Sequence, residues 1–133
     1  MSTTTIALLF LSVSQQLGLP PGLLSAVCWQ ESKHVAKAVH PDDGGHTSVG
    51  VCQLQWRTAH FMGYKGTEQD LFNPEQNIRF AGKYLRYQLR RHPNDLPCAI
   101  ASYNAGHCMI AKDGDIVNDT YVEKVLEAWE ENK

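Results

Sequence analysis

The sequence predicts a mainly α-helical single domain, on three observations. The chain is 133 residues long, which suits one domain with one core. Apolar residues recur at three- and four-residue spacing through most of it, the mark of helices with one buried face. No long segment alternates polar and apolar residues as a half-buried strand would. With 43% hydrophobic and 20% charged residues, the composition excludes a wholly disordered chain. No internal repeat or low-complexity tract is present.

The first helix is placed from Thr4 or Thr5, as its cap, to Leu17, with Gly18 ending it. Its apolar run at 6–11 imitates a signal peptide. No Lys or Arg precedes it, no small-x-small cleavage site follows, and it is too short to span a bilayer. It is therefore read as part of the folded domain, and no cleavable signal is expected. Pro20 and Pro21 start a second helix over 21–32. There Leu24, Val27, Cys28 and Glu31 share one face, so a carboxylate continues an apolar stripe.

Residues 34–52 are rich in Gly, Asp and Pro (HPDDGGHTSVG at 40–50) and are read as loops or a small hairpin at most. A short helix follows through Thr58 to Phe61, then a glycine-marked loop, then a turn and cap region over 70–74. The clearest helix spans 77–91, with Ile78, Ala81, Tyr84, Leu85, Gln88 and Leu89 on its period, and Pro93 ends it. Another covers 96–103 and terminates at Asn104-Ala105-Gly106. The last begins near Thr120, which pairs with Glu123 as a capping box.

Lys plus Arg is 12 and Asp plus Glu is 14, a net charge of -2 with the basic residues scattered, which argues against a nucleic-acid partner. The four cysteines form no CxxC pair, so a structural zinc site is not expected. They allow three disulfide pairings or none. Cys28, in an apolar stretch, is read as simply buried, and Cys52 as a small packing residue. His107 beside Cys108 raises a cysteine-histidine hydrolase, but adjacency in sequence does not orient the two side chains.

Glu31 is the first candidate for chemistry. Cleaving a glycosidic bond requires an acid to protonate the departing oxygen, and an apolar setting keeps a carboxyl protonated near neutral pH. Ser48, Gln53, Tyr103, Asn104 and Tyr121 have the hydrogen-bonding groups to surround a polar ligand. Tyr103 and Tyr121 are equally readable as core tyrosines, and Gln53 as a tie within its loop.

In chain order the sequence reads QES at 30–32, SVGVCQL at 48–54, NPEQNIRFAGKYL at 73–85, ASYNAG at 101–106 and YVEKV at 121–125. This ordered set resembles the lytic transglycosylase family of the soluble type, within the lysozyme-like superfamily, over residues 5–125. The resemblance implies a lysozyme-like domain over 1–133 with a cleft for peptidoglycan glycan strands, and no metal or organic cofactor. Glu31 matches the family's catalytic glutamate. It would protonate the oxygen between N-acetylmuramic acid and N-acetylglucosamine. It would then act as a base on the muramic 6-hydroxyl, which closes to a 1,6-anhydro product. Ser32 would position Glu31 or the chain. Ser48 and Gly50 match a serine-x-glycine signature that shapes the cleft, and Gln53 a substrate-contacting glutamine. Tyr103 and Asn104 match a tyrosine-asparagine pair: the tyrosine would orient Glu31 or stabilise developing charge, and the asparagine would bind sugar groups. Tyr121 matches an aromatic residue near the cleft. Asn77 and Ile78 match a mainly structural helix-start motif.

The segment at 50–54 departs from the commoner glycine-leucine-methionine-glutamine wording. The domain is also similar to goose-type lysozymes. On that reading Asp42 or Asp43 supplies the second carboxylate of a hydrolytic muramidase; the plain alternative is a solvated turn. Product chemistry separates the two. A non-catalytic peptidoglycan-binding module is the alternative from another class, and retention of Glu31, Tyr103 and Asn104 counts against it. A chitin-directed glycosidase fits less well, since chitin lacks the lactyl group. The expected setting is the cell wall outside the cytoplasmic membrane, periplasmic or phage-released, reached with holin, virion or secretion-apparatus partners. A monomer is expected.

Overall fold

The structure, a computed structural model, describes residues 1–132, and of Asp43 the backbone alone. Six α-helices, one 3-10 helix and one small sheet make up the regular structure of the described residues. The first helix, α1 (Thr3–Leu17), packs along the fourth, α4 (Pro74–Arg91). Ile6, Phe10 and Val13 are its buried face, so the apolar run at the start of the chain forms part of the core. Ser2 caps this helix, its Oγ accepting from the Thr5 amide at 3.1 Å, in place of Thr4 or Thr5. Starting two residues earlier keeps the same face inward, and the Thr5 hydroxyl bonds Ser2 instead. Gly18 closes the helix in the left-handed conformation, as read from sequence.

Helix α2 (Leu23–Ser32) starts two residues later than the prolines suggest, because Pro20 and Pro21 sit in the preceding turn. Leu24, Val27 and Cys28 are fully buried, with Glu31 at the end of the same stripe. The glycine-rich stretch forms a hairpin of β1 (Val39–Asp43) and β2 (His46–Val49), extended by β3 (Leu54–Gln55) into a three-stranded antiparallel sheet. The register pairs His40 with Ser48 and Ser48 with Gln55. It shifts between His40 and Asp43, where Pro41 cannot donate to the ladder.

Helix α3 (Trp56–Phe61) and a 3-10 turn (Gln69–Phe72) lead into α4. Asn73 caps α4 and Pro74 occupies its first turn, so the helix begins three residues before the expected Asn77. Gly82 lets α1 and α4 meet closely: a Cβ there would lie 2.8 Å from Val13 Cγ1. Helix α5 (Leu96–Ala105) is capped by Asp95 and ends at Gly106. Helix α6 (Asp119–Glu131) has Asn118 at its cap position, which places Thr120 inside the first turn, and the capping box with Glu123 does not form. Trp129 docks α6 onto the start of α2, its Nε1 donating to Pro21 O at 2.8 Å.

The cysteines pair as Cys28–Cys52 and Cys98–Cys108. Cys28 and Cys52 are buried as expected, but they form a crosslink, not two separate packing residues. With all four cysteines bonded, no thiol remains to serve as a nucleophile beside His107. No helix among the described residues is long and apolar enough to cross a membrane.

Candidate active site

A cleft of about 510 Å³ lies between the end of α2, the sheet, and helices α3, α4 and α5. Glu31 enters from the last turn of α2, at the point where the apolar stripe of that helix meets the opening. Among the described residues it is the one carboxylate in the lining. The Tyr121 hydroxyl, from the first turn of α6, donates to Glu31 Oε2 at 2.7 Å, joining residues 90 apart in sequence. Burial and the neighbouring Glu31 charge push the Tyr121 phenol well above its ordinary value of 10.0, so it remains a donor at neutral pH.

Tyr103, on α5, is buried beside Glu31, but its hydroxyl donates to the Cys52 carbonyl at 3.0 Å. Having one proton to give, it locks the loop at 50–53, and the Glu31 carboxylate receives its phenolic bond from Tyr121 instead. Burial and the Glu31 charge also raise the Tyr103 phenol well above 10.0. Asn104 lies at the mouth of the cleft, where its Oδ1 accepts from Asn118 Nδ2 at 2.9 Å.

The loop that faces Glu31 is held from three sides. Ser32 Oγ donates to Val51 O at 2.6 Å, which ties the end of α2 to it. Asn77, fully buried on α4, accepts from Cys52 N at 2.8 Å and donates to Val49 O and Leu71 O, each at 2.9 Å. The Cys28–Cys52 bridge fastens the loop to α2 one turn before Glu31. Gly50 has φ 84°, and a Cβ there would overlap the Asn77 carboxamide, so glycine is required twice over. Gln53 also adopts a left-handed φ of 52°, and its Nε2 donates to Ala38 O and Gly50 O. Its amide nitrogen is thus a tie within the loop, while the side chain still lines the cleft. Ser48 is buried in β2 and also faces the cleft.

Ser48, Gln53, Tyr103 and Asn104 therefore gather with Glu31 in one lining, and Tyr121 reaches it through its hydroxyl. Asp42 is exposed on β1 and does not line the cleft. The Asp43 side chain lies outside the described residues, although the adjoining Gly44 reaches the lining. Sequence reasoning missed the opposite wall. Arg57 and Phe61 of α3 and Tyr84, Tyr87, Gln88 and Arg91 of α4 form it. The spacing of the α4 residues, three and four apart, was the available signal, but Tyr84 and Gln88 were absorbed into the apolar period. No cluster of His, Cys, Asp and Glu among the described residues is arranged to hold a metal ion.

Residues 9–125 match the family described as the transglycosylase SLT domain. A membrane-bound lytic murein transglycosylase F from Photobacterium profundum is 35% identical over 99 residues, covering 68% of this chain and 18% of that relative. Among solved structures, an inactive mutant of the lytic transglycosylase Slt from Pseudomonas aeruginosa superposes with a TM-score of 0.74 at 21% identity, over 90% of this chain and 22% of that one. The 70-kDa soluble lytic transglycosylase from Escherichia coli superposes with a TM-score of 0.66 at 23% identity, over 92% of this chain and 18% of that one. These structures share the fold, and the chain spans about a fifth of the length of the relatives it matches. By the match over most of its length, the chain belongs to the transglycosylase SLT domain family.

Proposed function

We propose that this chain is a peptidoglycan lytic transglycosylase that cuts the β-1,4 bond between N-acetylmuramic acid and N-acetylglucosamine, with Glu31 as acid and then base. The observation that carries the reading is the Tyr121–Glu31 bond of 2.7 Å inside the cleft. In the first step protonated Glu31 gives its proton to the bridging oxygen, and the N-acetylglucosamine side leaves. Sugar filling the cleft displaces water, which favours the neutral acid needed for this step. In the second step the Glu31 carboxylate takes the proton of the muramic 6-hydroxyl, and that oxygen bonds to the anomeric carbon. Glu31 ends protonated, no water is consumed, and the product carries a 1,6-anhydro ring. Tyr121 restrains the carboxylate through both steps. Tyr103 holds the loop and faces the charge that develops, while Ser48, Asn104 and the Oε1 end of Gln53 contact sugar groups.

The named relatives are lytic transglycosylases, and the Pseudomonas aeruginosa structure is of a mutant described as inactive. Two disulfides suit a protein that works in an oxidising setting, as the wall outside the cytoplasmic membrane requires. The test is mass spectrometry of products from purified peptidoglycan. The intact chain should release anhydromuramic ends and Glu31→Gln none. Reducing, hydrated ends would replace this reading with the hydrolytic one. Gly44 brings the hairpin turn to the cleft, so Asp43→Asn, with Asp42→Asn as its exposed neighbour, would then identify the second carboxylate. Absence of any Glu31-dependent product would leave a binding module.

A further inference from the structure

The wall of the cleft opposite Glu31 carries two guanidinium groups, Arg57 on α3 and Arg91 on α4. Both are exposed and both are held by neutral oxygens. Arg57 Nε donates to Gln55 Oε1 at 2.9 Å; Arg91 Nη1 donates to Gln88 Oε1 at 2.9 Å and to Gly106 O at 3.3 Å. Amide carbonyls orient a guanidinium but leave its charge uncompensated.

The two cations line the same cleft as Tyr84 and Tyr87. Each pulls the Tyr84 phenol down against the rise that burial causes. Arg91 lies over the Tyr87 ring at 5.5 Å, and the Tyr84 and Tyr87 rings stack with centroids 6.2 Å apart. Tyr84 in turn lies 5.3 Å from Tyr103, the tyrosine beside Glu31. A ladder of rings thus runs from Tyr103, beside Glu31, to Arg91. A positive charge there adds nothing to protonating a glycosidic oxygen. It suits recognition of an anion at a distance along the same strand.

We infer that Arg57 and Arg91 form a carboxylate-recognition subsite, which selects glycan strands by the acidic groups that their muramic residues carry. The inference rests on the peptidoglycan reading above and names the part of that polymer read away from the cut. Two sources supply such a carboxylate: the bare lactyl group of a stripped strand and the acidic residues of a stem peptide. Both present a planar anion that a guanidinium fork can hold with two parallel bonds.

The test uses the full chain and three preparations of strands: with stem peptides, stripped of stems so that lactyl carboxylates are bare, and with carboxylates amidated. Rates are read as anhydromuramic ends, and binding by calorimetry with Glu31→Gln. The double variant Arg57→Gln with Arg91→Gln should raise KM on the order of 10-fold on strands with free carboxylates, with kcat nearly unchanged. It should match the parent on amidated strands. The Arg57→Lys with Arg91→Lys variant should recover part of the affinity, and binding of charged strands should weaken as salt rises. A loss confined to stem-bearing strands assigns the stem peptide, a loss confined to stripped strands assigns the lactyl group, and a loss on both but not on amidated strands assigns either carboxylate; each supports the subsite. Equal loss on all three preparations, or loss on none, overturns it. If the parent chain cuts none of them, the glycosidic reading fails by itself. Calorimetry then still decides the subsite, because charged-strand binding indifferent to both arginines overturns it.

Discussion

The bond between Tyr121 and Glu31 makes a claim that one atom can test. Tyr121→Phe removes the hydroxyl and keeps the ring packed against the core. The fold should persist, while kcat falls on the order of 10-fold and KM stays close to that of the parent. An unchanged kcat in steady-state kinetics would remove Tyr121 from the machinery. Asn77 makes a different claim, about stability. Its side chain satisfies Cys52 N, Val49 O and Leu71 O in a fully buried position. Asn77→Ala strands those groups and should lower unfolding stability by about 3 kcal/mol or more, measured by denaturant titration.

The same loop shows at the scale of elements why the catalytic helix and the sheet behave as one unit. Helix α2 alone would place Glu31 only as well as its own burial allows. Ser32 and the Cys28–Cys52 bridge tie its last turn to the loop that Asn77 and Tyr103 hold from α4 and α5. The bridge joins cysteines 24 residues apart, so opening it frees the unfolded chain by about 3 kcal/mol on a chain-entropy basis. Cys28→Ala combined with Cys52→Ala should lower Tm, with activity declining at temperatures where circular dichroism still reports folded protein. Coincident loss of structure and activity would mean that the bridge stabilises the fold without positioning Glu31. The caps are smaller contributions. Asp95→Ala, which removes the side-chain acceptor of the Cys98 amide, should cost about 1 kcal/mol.

For the whole molecule, three buried or half-buried titratable groups contribute to the pH limits of stability. Tyr103 and Tyr121 have phenols raised well above 10.0 by burial and by the Glu31 charge. In the unfolded chain they lose protons near 10, so above that pH the unfolded state binds fewer protons than the folded one. Stability is then fully present below about pH 10 and falls above it. His34 has the opposite sign: burial lowers it from 6.5, against the bond to Ser25 O at 2.9 Å. The unfolded chain takes up this proton first as pH drops, so stability declines below about pH 6.5. Thermal unfolding across pH should give a plateau bounded on both sides. Tyr103→Phe with Tyr121→Phe should flatten the alkaline edge, and an edge unmoved by both substitutions would assign it to other groups.

Local periodicity and turn chemistry determined much of this protein before any contact was known. Glycines in the left-handed conformation close α1 and α5 at Gly18 and Gly106, and the three- and four-residue spacing of apolar side chains laid out the helices. It also put Glu31 at the end of the buried stripe of α2. These are properties of neighbours within one or two turns, which the order of residues states directly. The cap at Ser2 was not decided that way, because Ser2, Thr4 and Thr5 offer equivalent oxygens and each leaves Ile6 and Phe10 on the buried face. Only the tertiary structure decided that Cys28 meets Cys52, that Tyr121 reaches Glu31 across 90 residues while Tyr103 turns to Cys52, and that Arg57 and Arg91 share a wall. Each of those pairings depends on how helices cross and where loops are pulled, and such distances follow from the packing of the whole core and not from spacing along the chain.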